Sequence, residues 1–147
     1  MASAEHTVTI DRPASEVFDY VARGENAQAW RNGVLDIAHV SGSGVGATYR
    51  QGVRGPGGRR VAADYRITEY EPARRLGFQA IAGPVRPTGL YQFEDLGGRT
   101  RLTFSLSAEL GLVQRLVLGG MVQRTMDAEV ASTERLKQVL ESAAAPA

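Results

Sequence analysis

The apolar residues of this chain change period once, and late. From Val34 to Glu109 they alternate with polar residues at period two. From Leu112 they recur at helical spacing, at Leu116, Met126, Val130, Leu136 and Leu140, out to about Ser142. The first stretch predicts strands near 34–40, 47–54, 60–71, 75–82, 88–95 and 100–109. Their connections, SGSGVG, GPGG, EPAR, GPVRPT and LGGR, each hold a Gly, Pro or small polar breaker. Connections this short join antiparallel neighbours, so the strands form a meander. The second stretch predicts a helix of about thirty residues, roughly 45 Å long at 1.5 Å per residue. Such a helix cannot hide inside a small domain, so it must lie across one face of the sheet. The AAAPA tail at 143–147 is expected to fray.

Upstream of the meander, Val8 and Ile10 alternate with Thr7 and Thr9, which predicts a strand over 5–11. Pro13 suits the first turn of a helix carrying Glu16 at its positive end and the apolar stripe Val17, Phe18 and Val21. Gly24 ends it, and residues 26–30 make one more short turn with Asn26 as a possible cap. With 147 residues, 43% of them hydrophobic and 22% charged, the chain suffices for one domain with a real core. That domain is expected to span 1–147, its core about 5–142, with no internal repeat and no linker.

Several function classes are disfavoured by composition. There is no cysteine, hence no disulfide, thiolate nucleophile or thiolate metal site, and His6 and His39 are the only histidines. No convergent carboxylate cluster stands out, so neither a metal nor a cofactor is expected. The start MASAEHTVTI lacks the basic region and apolar run of a signal peptide, and no apolar run is long enough to span a bilayer. The expectation is a cytoplasmic protein with no stable membrane insertion, a monomer or homodimer. Residues 47–101 carry a net charge of +5, against −3 before them and −1 after. Their arginines are dispersed over several strands without a recognition motif, so no nucleic acid is expected as partner.

The order strand, two short helices, six strands, long helix resembles the SRPBCC superfamily, also called START-like or birch-pollen-allergen-like. Within it the chain is similar to bacterial polyketide cyclase/dehydrase-type members. VTIDRPASEVFDYVA resembles the opening strand, Pro and helix of that family, and Trp30 stands where the family usually has a Trp before the second strand. YRITEYEPARRLGFQA and YQFEDLGGRTRLTFS resemble its successive hairpins, and the match covers roughly residues 5–140. The resemblance implies an α+β helix-grip fold: a curved antiparallel sheet of about seven strands wrapped around the C-terminal helix, enclosing a cavity. It implies a small hydrophobic or aromatic, polyketide-like ligand. Cyclisation or dehydration of that ligand, and its non-catalytic carriage or sensing, both remain open, because the superfamily holds enzymes and carriers alike.

Alternation assigns side chains to the concave face. Tyr49, Gln51 and Val53 face inward, as do Val61, Ala63, Tyr65 and Ile67. So do Leu76, Phe78, Ala80 and Ala82, then Tyr91 and Phe93, then Leu102, Phe104 and Leu106. On the helix the inward stripe runs through Leu116, Gly120, Gln123, Met126 or Asp127, and Val130. Small residues at Ala63, Ala80, Ala82, Gly89 and Gly120, with polar groups among apolar ones, argue for a ligand cavity of about 300–1,000 Å³. Trp30, Tyr49, Gln51, Tyr65, Phe78, Tyr91, Phe93, Phe104, Leu116, Gly120, Gln123 and Met126 are its expected lining. Arg86, with Arg54, Arg59 and Arg60, would make one rim electropositive. Acid–base chemistry on a carbonyl ligand would need a base and donors for an enolate oxygen. Asp127 or His39 are the candidate bases, and Tyr65, Tyr91 or Gln123 the candidate donors.

Overall fold

The structure, a computed structural model, describes residues 2–142. β1 (Ala2–Ile10) leads to α1 (Ala14–Ala22), a 3-10 turn (Gly24–Asn26) and α2 (Ala27–Trp30). Six further strands follow as β2 (Val34–Ser41), β3 (Thr48–Arg54), β4 (Arg60–Ala62), β5 (Tyr65–Glu71), β6 (Arg75–Ala80) and β7 (Thr88–Asp95). β8 (Thr100–Ala108) precedes α3 (Leu112–Ala131) and α4 (Thr133–Ser142). All pairings are antiparallel, in the order β1-β8-β7-β6-β5-β3-β2, with β4 also on β3. The result is the expected α+β helix-grip fold, a curved, unclosed sheet with helices over its concave face.

The differences from expectation are local and have local causes. β1 begins at Ala2, because its whole length pairs with β8, from Ala2 opposite Ala108 to Ile10 opposite Thr100. The strand expected over 60–71 is two strands, which raises the number to eight. Between them the Asp64 carboxylate accepts from the Gln51 backbone N–H at 3.2 Å, and the Gln51 side-chain amide donates to the Ala63 carbonyl at 3.1 Å. Side chains thus replace ladder bonds at the bend, and β3 pairs with β4 on one side of it and β5 on the other. The long helix is interrupted at Ser132. Ser132 Oγ donates back to the Ala128 carbonyl (3.2 Å) and accepts from the Asn32 backbone N–H (2.9 Å), while Thr133 Oγ donates to the Val130 carbonyl (2.9 Å). Back-bonding of this kind bends helices. The tail at 143–147 lies outside the described residues.

The core joins the concave face to α1, α2 and the second half of the helical region. Ile10, Val17, Phe18, Trp30, Leu102, Phe104 and Leu136 are its most enclosed large apolar side chains. α4 is fastened to β1 by polar groups: Lys137 donates to the Thr9 carbonyl at 2.8 Å, and Glu141 accepts from the Asp11 backbone N–H at 2.7 Å. The first half of α3 is different. Among the described side chains of this half, Leu112, Leu116, Val117 and Met121 are exposed, Leu116 by 78%, and Gly119–Gly120 add no apolar surface between them. From Met126 onward Met126, Val130, Leu136 and Leu140 are buried, and there the helix is seated.

Candidate functional site

α1 and α2 cover β5, β6 and β7, and a cavity of about 20 Å³ lies between them, lined by Val21, Gly24, Trp30, Arg31, Tyr65, Phe78 and Tyr91 among others. A space of that size holds about one water molecule, far below the several hundred Å³ expected from the sequence. Two of the glycines near it explain the shortfall. Gly89 lies opposite Phe78 across the β6–β7 ladder, and a Cβ there would fall 2.1 Å from Phe78 Cζ. At Gly24 a Cβ would fall 2.5 Å from Tyr49 Cε2 and 2.6 Å from the Tyr65 hydroxyl. At these positions glycine makes room for aromatic rings rather than for a ligand, and Gly120 is out on the exposed half of α3.

The rings form one continuous array. Tyr49 stacks on Tyr65 (5.0 Å between centroids), Tyr65 meets Phe78 (5.3 Å), and Tyr91 stacks on Phe104 (4.2 Å) with Trp30 edge-on to both. Into this apolar wall project a few polar groups. Arg31, at the end of α2, points its Nε and Nη2 at one oxygen of Glu129 on α3 and donates from Nη1 to Gln51 Oε1 at 3.0 Å. The side chains of Arg31 and Glu129 are only 9% and 13% exposed, and the guanidinium carbon stands 6.0 Å from the Phe78 ring centre. Burial opposes the Arg31 charge, but the Glu129 carboxylate, with Tyr91 and Tyr65, together more than offset it, and the guanidinium pKa is raised.

Tyr65 and Tyr91 are 6% and 4% exposed, yet among the described residues neither hydroxyl has a hydrogen-bonding partner. No fully enclosed side-chain polar atom among the described residues lacks a partner, so these two oxygens are not sealed in but open onto the cavity that their residues line. Burial pushes both phenols up, with the Arg31 charge pulling the other way. They are therefore protonated donors at neutral pH. Tyr49 differs, its hydroxyl accepting from the Gly24 backbone N–H at 3.4 Å. The site thus presents two phenol hydroxyls and part of a guanidinium to one small space.

The structure places the sequence-expected residues unevenly. Trp30, Tyr65, Phe78 and Tyr91 line the cavity, and Gln51 joins it through Arg31. Tyr49 and Phe104 support that wall as stacked rings, Met126 is buried in the core, and Phe93 packs on Phe18 (5.2 Å) away from the cavity. Leu116 and Gly120 are exposed and do not line it. Gln123 donates to the Ser3 carbonyl (2.6 Å) and to Asp127 (3.0 Å), which pins α3 to β1 and leaves Asp127 exposed. His39 is exposed too, its Nε2 2.6 Å from the Gly42 carbonyl, where it donates. On the expected basic rim, Arg60 makes a two-pronged pair with Asp36 (2.8 and 2.8 Å) and Arg86 donates to the Gly83 carbonyl (3.1 Å). The start of α3 does reach that rim, where Gln114 donates to the Pro84 carbonyl at 3.2 Å.

Arg31 and Glu129 were not foreseen. Arg31 sits in a connection, where periodicity assigns no face. Glu129 did carry a signal: it stands three residues after Met126 and one before Val130, an acid within the buried stripe. Among the described residues no three His, Asp or Glu side chains gather as metal ligands, and no helix is long and apolar enough to cross a membrane.

A sheet gripping a helix over an aromatic interior defines the helix-grip class, and comparison with known proteins narrows it. Residues 1–141 match the family described as polyketide cyclase/dehydrase and lipid transport, and the chain belongs to that family. Among solved structures it is similar to a protein of Thermus thermophilus, with 21% identity over 97% of this chain and 99% of that one and a TM-score of 0.82. It is also similar to the Zhui aromatase/cyclase from Streptomyces sp. R1128, with 18% identity, 99% and 98% coverage and a TM-score of 0.75. A START superfamily protein from Mycobacterium smegmatis shares 19% identity over 96% and 95% of the two chains, with a TM-score of 0.71. At such identities the likeness is one of fold. No curated protein sequence matches the chain.

Proposed function

We propose that this protein binds a small aromatic or polyketide-like molecule between α1–α2 and the sheet, with a ligand oxygen held by Tyr65, Tyr91 and Arg31. The observation that carries the reading is the pair of phenol hydroxyls without partners on two buried residues. Polar groups in a protein interior are almost always paired, and two unpaired donors facing a cavity beside a guanidinium are what a carbonyl oxygen would satisfy. A two-ring ligand needs more than the 20 Å³ present. The 23–31 segment is the wall to move, since α2 has only four residues and the segment's main polar tie to α3 is the Arg31–Glu129 pair.

The same donors suit cyclisation or dehydration, because they would stabilise the enolate oxygen that forms when a carbonyl compound loses an α-proton. Carriage without chemistry is favoured by a different observation: Glu129 is tied to Arg31, while Asp127 and His39 lie exposed, so among the described residues no free base lines the cavity. The test uses Trp30, the single Trp of the sequence, as reporter. Titration with 2-acetonaphthone should change its emission, and Tyr65→Phe and Tyr91→Phe should each weaken binding about five- to tenfold, the worth of one hydrogen bond. A folded protein that leaves Trp30 emission unchanged refutes the reading. Turnover of a linear polyketone to a cyclic product, lost in Arg31→Met, would establish the enzyme. Native mass spectrometry showing the ketone retained unchanged would establish the carrier.

A further inference from the structure

We infer that Glu129 sets the charge class of the ligand: by neutralising Arg31 at the cavity wall, it selects a neutral oxygen-bearing molecule, a ketone, quinone or phenol, over a carboxylate. The inference rests on the binding reading above and sharpens it.

An arginine in an aromatic cavity would ordinarily be read as an anchor for an anion. Here the guanidinium already has its anion. Nε and Nη2 point at Glu129, and Nη1 donates to Gln51, whose own amide donates to the Ala63 carbonyl. One N–H on each Nη remains, on a residue that lines the cavity together with Tyr65 and Tyr91. The groups left for a ligand are therefore donors with no net charge behind them. A carbonyl or phenol oxygen can accept from them without disturbing the pair. A carboxylate would bring a second negative charge next to Glu129 in a space that screens poorly. It could accept from the two remaining N–H groups only against that repulsion, because the Glu129 carboxylate, 13% exposed and held by the fold of α3, stays on the guanidinium. The expected basic rim does not alter this, because none of Arg54, Arg59, Arg60 and Arg86 lines the cavity, and Arg60 is paired with Asp36.

The test compares 2-acetonaphthone with 2-naphthoate, which share one ring frame, by titration calorimetry at neutral pH. The wild-type protein should bind the ketone about tenfold or more tightly than the carboxylate, the scale of one uncompensated charge in a partly buried site. Glu129→Gln leaves the Arg31 charge unmatched, so naphthoate should bind about tenfold more tightly than to the wild type while the ketone changes by less than about threefold. The double variant R31Q/E129Q removes both charges and should return to preferring the ketone. A wild type that binds naphthoate as tightly as the ketone overturns the inference and leaves the binding reading standing. So does a folded Glu129→Gln protein with no gain for naphthoate. Should Glu129→Gln fail to fold by circular dichroism, the wild-type ratio and the double variant decide, and a double variant that prefers naphthoate overturns it. A folded wild type that binds neither probe overturns the binding reading and this inference with it.

Discussion

Gly89→Ala is the substitution whose effect follows most directly from the geometry. The added Cβ would stand 2.1 Å from Phe78 Cζ and 2.2 Å from Cε1, against an ordinary contact of 3.4 Å or more. The Phe78 ring would have to withdraw by about 1.3 Å, the difference between those distances. Its retreat leads toward Tyr65, Tyr91 and the Arg31 guanidinium, at 5.3, 6.0 and 6.0 Å, and the cavity of about 20 Å³ cannot absorb it. Overpacking of this kind costs about 1–3 kcal/mol. Replacing a strand glycine returns roughly 0.5–1 kcal/mol through the unfolded chain. A net loss of about 1–2 kcal/mol lowers Tm by roughly 3–8 °C for a domain of this size. Urea and thermal unfolding would measure it, and repeating Gly89→Ala in a Phe78→Leu background should cut the loss by about half or more, because the clashing ring is gone. If Gly89→Ala is neutral or stabilising in the wild type, the glycine does not exist to seat the ring, and the argument that such glycines deny space to a cavity fails with it.

Other outcomes follow from the polar groups. Arg31→Met strands the Glu129 carboxylate and should cost about 3 kcal/mol in urea unfolding, whereas the double variant R31M/E129L should lie within about 1 kcal/mol of the wild type. Tyr91→Phe, which removes a hydroxyl without a partner from a buried ring, should leave stability unchanged or raise it while lowering ligand affinity; a clear loss of stability would show that the hydroxyl has a structural partner. Asp127→Asn should leave affinity for 2-acetonaphthone unaltered, and a marked change would return Asp127 to the site. The Glu141 pKa is lowered, first by Lys137 (2.6 Å) and then by the Asp11 backbone N–H (2.7 Å). The stability it contributes is therefore present above the unfolded value and lost as pH falls through the lower folded value. Glu141→Gln should lower Tm at pH ~7 but not at pH ~3, with the effect below about 1 kcal/mol because the pair is partly exposed.

Much of the fold was legible because strand period and connection length are chain-local quantities. Tyr65, Ile67, Phe78, Tyr91 and Phe104 are buried as alternation required, since one face of a meander must turn to the core. The same logic failed on α3, where the stripe through Met126 and Val130 was extended backward to Leu116 and Gly120. A helix stripe holds only where a surface faces it, and Leu116 and Gly120 face solvent. It failed on the cavity for another reason. An absent side chain shows that volume is free locally, but whether a ring from the next strand fills it depends on register, here Phe78 opposite Gly89. Arg31 was invisible because no period governs a connection, and its role exists only once α2 is brought to α3.

Stability alone does not account for the polar groups in this core. Phenylalanine at 65 and 91 would bury the same rings without two unpaired hydroxyls, and an apolar pair in place of Arg31 and Glu129 would pack as well or better. Local rules broken without a structural return are found mainly at functional sites, and here the four broken ones meet around one small space. The closed cavity sharpens the point. On the proposed reading, a molecule with two rings needs a form in which the 23–31 segment has moved, and its apparent affinity is reduced by the fraction of that form present. The Arg31–Glu129 pair ties that segment to α3, and Arg135 Nε, donating to the Ala29 carbonyl at 3.0 Å, ties it to α4. With that second tie in place, Glu129→Gln changes the charge facing the proposed site without by itself releasing the segment.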